Sequence, residues 1–467
     1  MRRANLLVCA FFVLEEEEKR MDRSEKLGKM PMGRLMADMS IPMMVSLLVQ
    51  SLYNIVDSIF VARLSEKALT ATSLAFPAQM LMIAVGVGMS VGLNAALSKA
   101  IGARDREAIS LTTGTGFLLS VVCSLAFAVI GLLFARPFAA VFTEDTEIAR
   151  MSGDYLWICM VLCFGQIVGM MLQRFLQAAG DTFGSMISLI AGAVTNIILD
   201  PIMIFGLLGC PAMGIRGAAI ATVIGQWVNL AVAAVLNRTR NPVVTMDLKT
   251  WHLDGKCLGA ILRVGLPTTV MQAIGSLMVT CVNAVLMPFS ATAVAFFGIY
   301  YKLQNFLFMP MNGLGQAAIP IAGFNYGSGN KARVREMFGV MLPVGIAIAV
   351  IATLIFEVIP APLLSLFSAS DEMLTIGVPA LRIIAPTFAF ASVTAMLGYA
   401  LSGLGVGMVN MVGAALRQLI VFVPVMVLLV RIGGIAAAWW AVIPAELIAC
   451  AYACFMTVHV LKKKEIL

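Results

Sequence analysis

Apolar stretches recur along this chain, separated by short segments rich in charge, glycine or proline. A helix of about twenty apolar residues crosses the hydrocarbon core of a bilayer. Such stretches fall at 36–62, 69–97, 112–134, 152–173, 185–208 and 214–236, and again at 258–285, 290–318, 336–357, 374–400, 410–430 and 434–460. The pattern predicts an all-α integral membrane protein of twelve transmembrane helices. Six form a first bundle over 35–236 and six a second over 258–460, joined by a cytoplasmic linker at 237–257 and followed by a tail at 461–467. Residues 1–34 read as an N-terminal tail. In it Arg2 and Arg3 precede an apolar run from Ala4 to Leu14, too short to span and followed by Glu15 to Glu18 without a small-residue cleavage site. That arrangement suggests a start at Met21 or Met30, or a tail without structure of its own.

The two sets of spans are related. A shift of 225 positions takes Pro42 to Pro267, Gly88 to Gly313, Gly102 to Gly327, Pro137 to Pro362, Phe142 to Phe367 and Gly180 to Gly405. An even number of spans per half returns the chain to its starting side. The halves are therefore parallel repeats about an axis along the membrane normal, with substrate expected between them. Twenty-two Lys and Arg residues, Arg174 among them, fall on the side of the N-terminus and six on the other. Excess basic residues mark the cytoplasm, so both termini are expected inside a cell membrane.

Composition agrees with lipid as the solvent: 60% of residues are hydrophobic and 12% charged, against about 25% charged in soluble proteins. The net charge of +7 is spread over many loops, with no basic cluster interleaved with aromatics, which argues against nucleic acid. Nine cysteines include Cys159/Cys163 and Cys450/Cys454 one turn apart, but no C-x-x-C occurs and the chain has two histidines, so a metal site is not expected. No G-x-x-x-x-G-K-[ST] segment is present to hold ATP, and no catalytic constellation is apparent. An ion-coupled antiporter fits better than an enzyme, with no cofactor beyond the coupling ion and the chain acting as a monomer.

Acids inside the spans are then the sharpest clue, because a carboxylate at mid-bilayer costs about 2.5–3.5 kcal/mol on insertion scales. Asp57, Asp200 and Glu446 lie well inside, and depth along the helices brings Asp57, Asp200 and Thr222 to one level of the first bundle. Asn196 sits one turn before Asp200, while Gln50, Asn54 and Asp57 make a polar stripe that also carries Tyr53. Two carboxylates, an amide and a hydroxyl suit a proton or a sodium ion. Gln50, Tyr53, Asn54, Lys302 and Glu446 are candidate cavity residues. Lys302, or Arg417 with Gln418, could bind an anion or pair with Glu446. Pro42 can bend its helix, and Pro201 is expected to break the helix beside Asp200.

These pieces resemble the multidrug and toxic compound extrusion (MATE) family. The resemblance is carried by Ile41-Pro42, Asn54-Ile-Val-Asp57, Leu176-Gln-Ala-Ala-Gly-Asp181-Thr, Asn196-Ile-Ile-Leu-Asp200-Pro201 and Gly217-Ala-Ala-Ile-Ala-Thr222. Tyr300-Tyr-Lys302-Leu-Gln and Ala322-Gly-Phe-Asn-Tyr-Gly327 look like its MepA-like branch. The resemblance covers about 30–460 and implies export of cationic, amphipathic drugs in exchange for H⁺ or Na⁺. It implies an ion site at Asp57, Asn196, Asp200 and Thr222, and bending at Pro42. Some members carry acids in the seventh and tenth helices. Here the seventh has none and the tenth none beyond Glu372, which puts a second cation site in doubt. The alternative is a flippase for lipid-linked saccharides, which would need cations in the cavity.

Overall fold

A computed structural model describes residues 24–244, 253–367 and 369–467. The expectations for residues 1–23, and for 245–252 of the linker, lie outside the described residues. The first half is built from α1 (Met32–Leu64), α2 (Glu66–Gly102), α3 (Arg106–Phe142), α4 (Thr146–Val161 and Phe164–Ala178, bent by 43°), α5 (Thr182–Phe205) and α6 (Ile215–Arg240). The second is built from α7 (Gly255–Leu286), α8 (Ala291–Leu307 and Met309–Gly327), α9 (Lys331–Val358) and α10 (Asp371–Ile384 and Phe388–Gly403). A continuous helical run, Gly407–Lys463, completes it.

Counted by length and apolarity alone, nine helices among the described residues can span a membrane, or ten with the bent pair of α4. The run Gly407–Lys463 holds 57 residues, nearly three times what one crossing needs. Gly434, at φ 68, turns the chain inside it, so the run divides there into α11 and α12. α8 is broken at Phe308 into two pieces, each too short or too polar to count alone. Twelve spanning helices result.

The helices run past the apolar stretches because polar caps in the loops, rather than the first charge, end them. Asp105 accepts from the Ala108 N–H at 3.0 Å, Asp145 from Glu147 at 2.9 Å, and Asp254 from Cys257 at 2.7 Å. The caps obey the repeat. Ser65, Asp105 and Asp145 cap α2, α3 and α4; Ser290, Asn330 and Ser370, each 225 residues on, cap α8, α9 and α10. Pro201 does not break α5, which continues to Phe205 and stops at Gly206 in the left-handed region. A proline forfeits one ladder hydrogen bond, and the next turn can still form. α1 likewise runs unbroken through Pro42, which has no N–H for the Asp38 carbonyl. The Thr182 hydroxyl reaches that carbonyl at 3.5 Å.

Outward faces are apolar, as lipid requires: Leu125, Val129 and Leu132 on α3, and Val350, Ile351 and Leu354 on α9, are all exposed. The halves meet along α2, which packs on α7 and α8, and along α8, which packs on α1 as well. A Cβ on Gly102 would fall 2.0 Å from the Phe324 carbonyl oxygen, and one on Gly327 would fall 2.0 Å from that of Lys99. Those two contacts exchange under the 225-residue shift. So do Gly88 against Thr269 and Gly313 against Met44. Such reciprocity is what a two-fold axis between parallel repeats produces, and the close approach is possible only because these positions lack side chains.

All four contacts lie in the half of the molecule nearer the N-terminus. At the other end Gly131, Gly153, Gly217 and Gly377 pack within their own halves. The seam is strapped by the single-turn helix Lys26–Lys29. Its Leu27 carbonyl accepts from Asn325 at 3.0 Å, the Met30 carbonyl accepts from Arg333 at 2.7 Å, and Lys26 pairs with Asp38 of α1.

Candidate ion site and cavities

α5 presents Asn196 and Asp200 on one face, one turn apart and both buried, against α6 and α1. The Asn196 amide donates to Asp200 Oδ1 at 3.2 Å and reaches Thr222 Oγ1 on α6 at 3.4 Å. Asp57 of α1 brings its carboxyl within hydrogen-bonding reach of Asp200. Three oxygens of this group, Asp57 Oδ1, Asp200 Oδ2 and Asn196 Oδ1, are buried without a hydrogen-bond partner. Buried acceptors are normally satisfied, so the cluster is built to receive a proton or a cation.

Tyr53, Gln50, Asn196 and Thr222 also line a cavity of about 460 Å³ between the halves. The two aspartates stand behind that lining. Tyr53 and Gln50 share the Asp57 face of α1 because they lie one and two turns before it. Asn54 does not belong to this stripe: it turns outward and is exposed, its carbonyl bonded by the Ser58 hydroxyl at 2.8 Å. Tyr155 of α4 lies buried near Asp57. No spacing in the sequence connects it to Asp57, because the contact is between helices.

A second cavity, of about 1000 Å³, lies between α2 and the helices of the second half. Glu446 of α12 is buried in its wall, with Oε1 at 3.7 Å from Arg417 Nε and Oε2 unpaired. The chain forms a π-turn at Leu416–Ile420, and Arg417 and Gln418, adjacent in sequence, both line the cavity. Of the two roles open to Arg417, the geometry shows the pairing with Glu446. Lys302 does not reach either cavity. It lies about 200° round α8 from Tyr300, which lines the second cavity, and is exposed on the opposite face.

The residue the sequence misplaces is Arg174. Only four residues from the end of α4, it reads as a loop cation, yet its side chain enters the first cavity.

The MatE family model matches residues 42–202 and again 267–428, two stretches that begin 225 residues apart. The chain belongs to the MatE family. Among relatives of this MatE protein, the multidrug export protein MepA of Staphylococcus aureus (strain bovine RF122 / ET3-1) is 24% identical over 445 residues, covering 93% of this chain and 95% of the relative. MepA of Staphylococcus haemolyticus (strain JCSC1435) is 26% identical over 442 residues, covering 92% and 94%. A crystal structure of MATE in the bent conformation superposes with TM-score 0.88 at 23% identity, covering 95% of this chain and 98% of that one. This likeness places the twelve helices in the two-bundle fold of that family.

Proposed function

We propose that this MatE protein is a secondary active multidrug exporter of the cell membrane. It expels cationic, amphipathic compounds in exchange for H⁺ or Na⁺ taken up at Asp57, Asp200, Asn196 and Thr222. The observation that carries the reading is the set of three unpaired buried oxygens on facing helices. A proton shared by the two carboxylates, or a cation bound between them, would relieve their repulsion in a low-dielectric site. A proton is the preferred ion, because an aspartate pair can share one without a full oxygen shell. The cavity beside the site is walled by amides and by Met43, Met80, Met170 and Met271. Flexible thioethers adapt to cargo of varied shape. With Lys302 turned to the surface and Arg417 paired with Glu446, Arg174 is the one cation without a carboxylate partner among the described residues lining the two cavities, fewer than a flippase gripping a pyrophosphate calls for. The protein in proteoliposomes should drive uphill movement of a fluorescent cation under an imposed pH gradient. Movement under a Na⁺ gradient alone would assign sodium instead, and no movement under either gradient would overturn the reading.

A further inference from the structure

Among the described residues, Arg174 is the one charged side chain lining the first cavity. Its partners are all neutral: Nη1 donates to Gln177 Oε1 at 2.6 Å and to Gln316 Oε1 at 3.1 Å, and Nε to Ser90 Oγ at 3.4 Å. Among the described residues no carboxylate pairs with it. A guanidinium left in a cavity of the membrane interior without a counter-ion is costly, so such a residue marks a place where an anion arrives. The surroundings are ordered for that purpose. Gln177 is held by its own bond to Ser185 at 2.8 Å. Tyr399 occupies the position related to Arg174 by the 225-residue repeat, lines the same cavity and bonds Asn312 at 3.2 Å. The repeat thus sets a cation and a phenol together near the axis, where one compound can touch both halves.

We infer that Arg174 is the docking point in this cavity for a carboxylate carried by the cargo. The planar guanidinium fork matches a carboxylate through two parallel N–H bonds, which would replace those to the glutamine oxygens. Met43, Leu47 and Val91 line the same cavity and offer apolar contact to the body of the cargo. Asp57 and Asp200 lie behind another part of the same wall, so a cationic group can point toward them.

The inference rests on the reading of this cavity as the export route, and two measurements keep the two apart. The first is binding of a rhodamine with a free carboxylate, and of the methyl ester of the same dye, to the purified protein in detergent, read by fluorescence anisotropy. The acid should bind more tightly than the ester. Arg174→Gln should weaken the acid about tenfold or more while leaving the ester within about twofold. Arg174→Lys, which keeps the charge but not the fork, should retain part of the preference. Equal loss for both dyes in the Gln variant would show a role in holding the halves through Gln316 and would overturn the site. So would equal affinity for both dyes in the wild type, or binding of neither. The second measurement is export of the two dyes from proteoliposomes: binding of the acid with export of neither dye would leave the site standing and remove the export reading, while export of the ester with no binding preference for the acid would leave the export reading standing and remove the site.

Discussion

An amide in place of a carboxyl keeps the shape of a side chain and removes the charge that attracts a cation. At the residue scale, Asp57→Asn and Asp200→Asn should therefore insert and fold but lower gradient-driven export by about tenfold or more, the factor produced by about 1.4 kcal/mol of lost ion affinity. Glu446→Gln should lower it much less, because Glu446 has Arg417 beside it and lies apart from the three unpaired oxygens. Dye efflux from proteoliposomes ranks the three variants, and a dead Glu446→Gln beside active aspartate variants would reverse the assignment. The sequence reveals Asp57, Asn196, Asp200 and Thr222 because each is a polar group at a definite depth in an apolar span. It does not reveal the azimuth of Asn54 or Lys302 on its helix, nor that Arg174 reaches back from a helix end into the cavity.

Among the helices, the seam of α2 and α8 depends on positions where no side chain fits. Adding isopropyl groups at Gly102 or Gly327 forces a backbone carbonyl to move. Overpacking of this kind costs about 1–3 kcal/mol. Gly102→Val and Gly327→Val should each lower the melting temperature in detergent and slow export, and by similar amounts because the two positions are exchanged by the repeat. Gly339→Ala, where a Cβ meets nothing within 4 Å, should do neither. A thermal melt and an efflux assay on the three variants check this, and a harmless Gly102→Val would show that the seam is loose. The glycines are visible in the sequence as pairs at constant offset. Their partners, the Phe324 and Lys99 carbonyls, are not, because backbone contacts between helices leave no residue-specific signal.

For the whole molecule, the repeat and the skew of basic residues together predict a membrane orientation. Arg104 and Lys331, both next to the sealed seam, should lie in the cytoplasm. Thr143, at the end of α3, and Asp371, at the start of α10, should face outward. Single cysteines at these four positions in a cysteine-free background, probed on intact cells with an impermeant thiol reagent, test it. Labelling is expected at 143 and 371 only, and labelling of Lys331→Cys from outside would overturn the parallel-repeat topology.

The twelve spans and the duplication were determined by the sequence alone. Lipid imposes a local requirement on every residue that crosses it, and a local requirement is written residue by residue along the chain. The division of Gly407–Lys463 at Gly434 is legible for the same reason: a run too long for the bilayer must turn, and glycine is where it can. Rotation of each helix about its axis follows a different logic, since it is set by which neighbour a face packs against. Only the tertiary structure therefore decided that Lys302 turns away from the cavity, that Arg417 meets Glu446, and that Arg174 stands among neutral partners between the halves.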